Sequence, residues 1–344
     1  MATIAPVPVG PDADVRSADR RGAAGSGAGS GAGSGSGSGP VVGGPSPVRP
    51  GRARARALRT GARTIPLLPS IVLLALFLLG PVISSLYSSF TDASLTGYAA
   101  GGAQFIGFDN YTALFADPDF PKSVLLTLAF VFFSAVVGQN VVGLGLALLM
   151  RQGNRVVRAI VGTFVIAAWV LPEIVAAFAA YAFFNDSGTL NTILGFFGIQ
   201  GPNWLYGLPL LSVILANVWR GSAFSMLVYS AAVQEVPPEI TESAEVDGAT
   251  GWQRLVFITL PVISRSISTN LMLTTLQTLS VFTLIFVMTG GGPGTSSSTL
   301  PILAYQEAFQ FSQLGFGTAI ATIMLLVGAV FSVIYIRALR PEVD

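Results

Sequence analysis

The sequence predicts an all-α membrane protein with six transmembrane helices, and three observations support this fold class. Only 10% of its 344 residues are charged while 52% are hydrophobic, whereas a soluble domain carries about a quarter charged residues. The hydrophobic residues are gathered into six long runs, each close to the roughly 20 residues that a helix needs to cross the hydrocarbon core. The basic residues are concentrated in every second segment that joins these runs. Together these features indicate lipid as the solvent of the chain.

Residues 1–62 form the first element and are rich in Gly, Ser and Arg. Such a composition cannot bury enough apolar surface to offset its ordering entropy, so we expect a disordered cytoplasmic tail. The first apolar run begins only at about Ile65, too late for a cleavable signal peptide. The membrane domain is therefore expected to occupy residues 63–344.

Each of the six apolar runs that follow is interpreted as one membrane span, with Pro81 and Pro172 inside spans because membrane helices tolerate proline. The predicted spans are Ile65–Phe90, Ser123–Met150, Ala159–Phe184, Pro209–Val233, Ser268–Thr289 and Phe316–Ile336.

The orientation follows from the basic residues, which are enriched on the cytoplasmic side of membrane proteins. Sixteen of the 18 Lys and Arg residues fall in the tail, between spans two and three, between spans four and five, or after span six. Lys122 lies on the other side, and Arg220 lies inside span four. Both termini are therefore predicted to be cytoplasmic.

The residues that are absent exclude several functions. The chain has no His and no Cys, which excludes Ser-His-Asp triads, disulfides and His- or Cys-ligated zinc. Its only Lys, Lys122, does not belong to the Gly-x-x-x-x-Gly-Lys-Ser/Thr loop that cradles nucleotide phosphates. We therefore expect no enzyme activity, no cofactor in this chain and no nucleic-acid partner. Any ATP used must be bound by another polypeptide.

The cytoplasmic loop at about residues 234–265 differs from the other connections. Pro237 and Pro238 suit a first helical turn, Gly248 suits the left-handed position after a helix end, and an apolar stripe begins again at Trp252. The loop is therefore predicted to be a helix, a glycine turn and a second helix. Its first helix carries four acidic residues, which favours a protein neighbour over anionic lipid; they are Glu239, Glu242, Glu245 and Asp247.

The spacing within this loop is that of a known family. Glu242-Ser243-Ala244, three residues, Gly248, nine residues and then Ile258-x-Leu260-Pro261 resembles the cytoplasmic loop of permeases in binding-protein-dependent ABC importers. Ser243 stands where the family usually has Ala, which is one small residue for another. The resemblance implies that this loop contains the coupling helix, which contacts the ATPase through Glu242, Ser243, Ala244, Asp247, Gly248, Ile258, Leu260 and Pro261.

Three further segments are similar to carbohydrate permeases, in particular to the first permease subunit of maltose- and glycerol-3-phosphate-type systems. They are Phe108-Asp109-Asn110-Tyr111, Pro202-Asn203-Trp204-Leu205 and Thr289-Gly290-Gly291-Gly292-Pro293. The resemblance covers roughly residues 65–340. The long extracellular insertion of the maltose component is missing, which places the chain nearer the shorter glycerophosphate-type relatives.

The family implies a division of labour in a prokaryotic cell membrane. An extracytoplasmic solute-binding protein captures a sugar, a second homologous permease completes the path, and an ATPase dimer holds ATP and magnesium. Docking of the binding protein is assigned to outer residues, namely Trp204, Gly291, Gly292 and Pro293. For Trp204, an interfacial aromatic belt is the favoured alternative.

Two charged residues, Glu173 and Arg220, lie inside predicted spans three and four. An unpaired charge at mid-membrane costs at least about 2.5 to 3.5 kcal/mol, so both should face protein or a water-filled path. Pairing with each other is the favoured interpretation; the alternative is that Glu173, with Asn217 and Gln277, lines the sugar path. An ion-coupled secondary transporter, an ABC permease for a non-sugar solute and a membrane scaffold are the remaining alternatives. The sequence leaves the identity of the sugar open.

Overall fold

The computed structural model describes residues 67–338. The predicted tail, its boundary at residue 62 and the first residues of the first predicted span lie outside this range. Throughout the described residues the chain is helical and forms no strand; one isolated antiparallel bridge joins Thr91 and Phe105. The predicted all-α class is therefore confirmed.

Four unbroken helices are long and apolar enough to cross a membrane, and two bent helix pairs raise the number of candidate spans to as many as six. The helices used below are α1 (Leu68–Ser88), α2 (Asp119–Gln152), α3 (Arg155–Val170), α4 (Glu173–Phe184), α5 (Pro209–Gln234), α6 (Pro238–Val246), α7 (Gly251–Val262), α8 (Ser264–Leu279) and α9 (Leu314–Ala338). Shorter helices lie in the connections, at Asp109–Ala116, Thr189–Phe196, Trp204–Gly207, Thr283–Met288 and Leu300–Tyr305.

The third predicted span is not one continuous helix, which corrects the expectation from sequence. The chain breaks between α3 and α4, and the arms Arg155–Val170 and Glu173–Phe196 are bent by 112°. Pro172 lacks an N–H and its ring disfavours helical backbone in the residue before it. Leu171 accordingly has an extended ψ of 134°. Glu173 therefore begins a new helix instead of lying in the middle of an old one.

The fifth predicted span, Ser268–Thr289, is also interrupted. Helix α8 ends at Leu279, and the chain becomes helical again only at Thr283–Met288. Neither Gly nor Pro lies at residues 280–282, so the sequence carries no conventional signal for this break. At its other end, α8 meets α7 at an angle of 73°.

Helix α5 lies at the centre of the bundle and packs against α2, α3, α4 and α8. Small residues bring α2 and α5 close together: a Cβ added to Gly143 would lie 2.4 Å from the Cβ of Ser225. Small residues at such crossings are typical of membrane helices, whose association depends on van der Waals packing and interhelical hydrogen bonds. This close approach fixes the position of the polar residues of α2 and α5.

A buried polar cluster links α2, α5 and α8 on the side toward the 234–265 loop. Asn270 donates to Asn140 at 2.8 Å and to Ser225 at 2.9 Å, and the Tyr229 hydroxyl also donates to Asn140. All four side chains are buried. Polar groups in an apolar bundle must find such internal partners, so this cluster ties the three helices to one another.

Candidate functional site

A polar cavity of about 230 Å³ lies among α3, α4, α5 and α8, and all four residues that the sequence placed in the membrane path line it: Glu173, Asn217, Arg220 and Gln277. Glu173 reaches the cavity because the proline break places it at the start of α4. Asn217 and Arg220 lie about one turn apart on α5. Gln277 lies near the end of α8, just before the break in that span. Three separate helices thus bring these four polar side chains to one cavity.

Glu173 and Arg220 do not form the ion pair that the sequence favoured. The one ion pair with an N···O separation within 4.0 Å among residues 67–338 joins Arg254 and Glu245. The Arg220 Nε–H is buried and finds no hydrogen-bond partner in the described part of the chain. Buried donors are rarely left unpaired in proteins. The cavity therefore has a cationic donor available at its wall and a carboxylate facing the same space.

Asn217 is held by its neighbours. Its side chain donates to the Ser134 hydroxyl at 2.9 Å and to the Thr278 hydroxyl at 3.4 Å, while the Gln139 side-chain amide donates to the backbone carbonyl of Asn217 at 3.3 Å. These bonds join α2, α5 and α8 behind the cavity. Only part of the hydrogen-bonding capacity of this wall is thereby used, since amide side chains carry two donors and an acceptor.

Sequence reasoning missed several residues of this cavity, notably Gln139, Trp169 and Thr278. A signal for Gln139 exists: it is an amide in the middle of an apolar run, and polar residues within spans usually face the bundle interior or a cavity. Gln139 is the last residue of a π-helical stretch, Val131–Gln139, and such stretches are frequent at functional sites. Trp169, whose ring lies tilted against that of Phe224 with centroids 6.1 Å apart, has no comparable signal.

The loop at residues 234–265 has the predicted helix–glycine–helix structure. Helix α6 begins with Pro238 at its first position and ends before Gly248, whose φ is +84°. The Gly248 N–H donates to the Glu245 carbonyl at 3.0 Å, and the Ala249 N–H donates to the Ala244 carbonyl at 2.9 Å. This is the Schellman pattern, in which glycine takes the left-handed position and the last carbonyls of the helix are satisfied.

The loop also contains two features that sequence reasoning did not single out. Thr250 and Gln253 form a capping box at the start of α7, a pattern that is readable as Thr-x-x-Gln. Across the turn, Arg254 of α7 contacts the carboxylate of Glu245 of α6 at 2.5 Å. The ion pair fixes the orientation of α7 relative to α6, and the capping box stabilises the start of α7.

The predicted coupling residues divide into an exposed and an anchored group. Glu242, Ser243, Asp247, Gly248 and Pro261 are exposed, Ala244 and Ile258 are half-buried, and α6 contains no buried residue. Leu260 instead packs against a buried cluster of Val233, Val236 and Ile263. The loop therefore combines apolar packing of Leu260 on the bundle with an exposed acidic face on α6.

The predicted docking residues lie at the opposite end of α5. Trp204 packs against Phe184, with ring centroids 6.2 Å apart, and its indole N–H donates to Asn191 at 2.8 Å. Gly291 is buried with a φ of +93°. Gly292 and Pro293 line an open cavity of about 510 Å³. The structure thus brings Gly292 and Pro293 to a surface, while the Trp204 ring faces inward.

Several charged residues lie at the same end, at the start of α2 and in the connections beside it. Lys122 donates to the Thr295 hydroxyl at 2.7 Å, and that hydroxyl contacts Asp119 at 3.2 Å. Burial raises the pKa of the Glu307 carboxyl above its ordinary value, and the negative charges of Asp117 and Asp119 raise this pKa further. The Thr295 hydroxyl therefore links the connection after α8 to the start of α2, and folding favours the protonated form of Glu307.

Comparison with known proteins relates most of this chain to one family. Residues 139–344 match the model of the binding-protein-dependent transport system inner membrane component. The chain is 35% identical to the sulfoquinovosyl glycerol transport system permease protein SmoG of Agrobacterium fabrum, over 83% of this chain and 94% of that protein. It is 30% identical to the trehalose/maltose transport system permease protein MalF of Thermococcus litoralis, over 80% and 92% of the two chains.

A solved structure shows the same fold. The chain superposes with a TM-score of 0.70 and 25% identity on a chain of a bacterial alginate ABC transporter, crystallised in complex with an alginate pentasaccharide-bound periplasmic protein. The match covers 83% of this chain and 96% of that one.

Proposed function

The chain belongs to the family of binding-protein-dependent transport system inner membrane components, and from this premise we propose that it carries part of the path of a sugar or sugar derivative. It is a multi-pass membrane protein and a permease subunit of an ABC importer. The observation that carries the path assignment is the polar cavity lined by Glu173, Asn217, Arg220 and Gln277, because polar groups within spans mark substrate pathways.

A sugar is the substrate class that best fits this cavity. Sugar hydroxyls both donate and accept hydrogen bonds, and the cavity offers a carboxylate, amides and a guanidinium beside the ring of Trp169. The similar proteins described above are named for sulfoquinovosyl glycerol, trehalose, maltose and alginate, all of them carbohydrates or carbohydrate derivatives.

Coupling to ATP belongs to the loop at residues 234–265. Helix α6 presents an exposed acidic face, and the Schellman turn and the Glu245–Arg254 contact give it a fixed direction. We assign this face to the cleft of a separate ATPase, which binds ATP and magnesium and performs the hydrolysis. The distribution of basic residues supports a cytoplasmic position for this loop and for both termini.

The remaining partners follow from the same arrangement. The open surface at the far end of α5, which includes Gly292 and Pro293, is assigned to an extracytoplasmic solute-binding protein. A second, homologous permease and an ATPase dimer complete the transporter in a prokaryotic cell membrane.

The test is ATP-driven uptake of a labelled sugar. The chain is assembled in proteoliposomes with its partner permease and ATPase, and the binding protein is added outside. We expect uptake of sugar that stops when the ATPase is inactivated by mutation. Uptake that continues with the inactive ATPase and follows a proton or sodium gradient would identify a secondary transporter instead. ATP-driven uptake of a non-sugar solute alone would contradict the substrate class.

A further inference from the structure

A second polar cavity, of about 510 Å³, lies at the end of the bundle away from the coupling loop. It joins the end of α4, the segment before α5 and the segment after α8; the side chains that carry the argument are Tyr181, Asn185, Asp186, Asn203, Tyr206 and Thr289. Tyr206 lies three residues before Pro209, the first residue of α5. Since α5 has 26 residues, the cavity lies about 39 Å from the coupling loop at about 1.5 Å per residue.

The polar groups around this outer cavity have unused hydrogen-bonding capacity. Asn203 donates to Asp186 at 2.9 Å and accepts from the Tyr206 N–H at 2.9 Å, which fixes the relative positions of these three residues. The hydroxyls of Tyr181 and Tyr206 have no hydrogen-bond partner within residues 67–338, and both rings are exposed. A carboxylate has about four acceptor sites, of which Asp186 uses one for Asn203. Donors, acceptors and two aromatic faces therefore converge on one open space.

The outer and inner cavities lie in series along the same helix. Glu173 at the start of α4 lines the inner cavity, and Tyr181 of α4 lines the outer cavity. Their separation of eight positions along α4 corresponds to a rise of about 12 Å. The segment after α8 repeats this order, with Val281 at the inner cavity and Val287 at the outer one. Two walls thus run from one cavity to the other.

We propose that the outer cavity is a carbohydrate-binding site at the mouth of the path, where a released sugar is held before it reaches Glu173 and Arg220. This inference rests on the proposed function and adds a second site to it. Ligand sites combine apolar and aromatic walls with a few convergent polar groups. Here Tyr181 and Tyr206 offer faces for the pyranose ring, while Asn185 and Asp186 offer partners for its hydroxyls. A surface that serves only for protein docking requires no such unused capacity inside a cavity.

The absence of native Cys allows a direct test by thiol protection. Val287 lines the outer cavity without offering a side-chain polar group, so Val287→Cys is the reporter; Thr289→Cys replaces it if that variant fails to insert. The assembled transporter, without binding protein, is treated with a small charged thiol reagent in maltose, in trehalose or in sorbitol. Tyr98→Cys is the control, since Tyr98 is 90% exposed and lies outside the cavity.

We expect maltose or trehalose to slow modification of the reporter about twofold at a concentration near the dissociation constant of the site. Sorbitol should not change the rate of modification, and Tyr98→Cys should react at the same rate in all three solutes. Adding Tyr206→Ala to the reporter should remove the protection, whereas Tyr206→Phe should keep most of it because the aromatic face remains.

Uptake of labelled sugar by the transporter with its binding protein is measured in parallel. Uptake without protection of either reporter overturns the outer site and leaves the proposed function intact. Protection by sorbitol as well as by the sugars also overturns the site, because it shows crowding instead of recognition. Absence of sugar uptake overturns the proposed function and, with it, the outer site.

Discussion

At the scale of single residues, Gly248 shows how one backbone position shapes the loop at residues 234–265. Its φ of +84° is a conformation that side chains with a Cβ rarely adopt, yet an added Cβ would meet no described atom within 4 Å. The cost of replacing this glycine inside the chain is therefore conformational, about 1 to 2 kcal/mol, and steric effects arise only where another protein docks.

We predict that Gly248→Asp inserts into the membrane normally but loses ATP-driven transport. The new side chain strains the turn and adds bulk at the docking face. The matched control is Gly251→Asp, since Gly251 also has open space around it but no positive φ; it should retain more transport. Membrane content is measured by immunoblot and transport by uptake of labelled sugar. Normal transport by Gly248→Asp would overturn the assignment of the coupling helix.

Glu173 is the second informative residue, because the structure places it at a cavity wall without an ion pair. Glu173→Gln keeps the shape and removes the charge. We expect normal insertion and a changed apparent affinity for sugar, measured as the substrate dependence of uptake. Poor insertion would instead support a structural pair with Arg220 in another conformation. No change in either quantity would mean that Glu173 faces water away from the path.

At the scale of elements, α6 is an acidic helix without buried residues, and the proposed function places it against an ATPase. Cysteine at Glu242 or Ala244 is therefore predicted to cross-link to the ATPase, in a chain without native Cys. Tyr98→Cys, in the first outer connection, is the control and should not cross-link. Failure at both loop positions combined with cross-linking from outer positions would show that the orientation is inverted.

The crossing of α2 and α5 depends on Gly143, whose added Cβ would lie 2.4 Å from Ser225 Cβ and 3.0 Å from the Met226 nitrogen. We predict that Gly143→Val destabilises the protein by about 1 to 3 kcal/mol through overpacking. Gly145, on the same helix, has nothing within 4 Å of an added Cβ, so Gly145→Val should cost much less. Thermal unfolding in detergent compares the two. Equal stability of the variants would contradict the close packing.

At the scale of the whole molecule, the ionisation of Glu307 is influenced by the charges of Asp117 and Asp119, which lie far from it in sequence. Burial raises the pKa of the Glu307 carboxyl above its ordinary value, and the negative charges of the two aspartates raise this pKa further. The folded protein therefore favours the protonated form. The stability that this proton provides is fully present below the unfolded pKa and is lost as the pH rises through the folded pKa.

Glu307→Gln removes this ionisation. The variant is expected to unfold at a higher temperature than the wild type at neutral pH, where the wild-type carboxylate is ionised. The difference should shrink as the pH falls below about 4.5, close to the unfolded pKa of a glutamate. Thermal melts between acidic and neutral pH measure it. A difference that grows on acidification would show that Glu307 is stabilised as the carboxylate.

The sequence by itself determined the helical membrane class, the approximate position of the spans and the helix–Gly248–helix loop. These properties follow from local composition and spacing, since hydrophobic runs and turn residues act within a few turns of the chain. It also identified four residues that prove to line one cavity, because charged and amide side chains are conspicuous in apolar spans.

Only the tertiary structure decided how these residues meet. The break at Pro172 moved Glu173 to a helix start, and the break after Leu279 has no signal in the sequence. Gln139, Trp169 and Thr278 join the cavity through the packing of helices distant in sequence, and Glu173 and Arg220 face one space without pairing. The physical reason is that a residue type fixes what a side chain prefers, while helix bends and crossings fix which groups come within hydrogen-bonding distance.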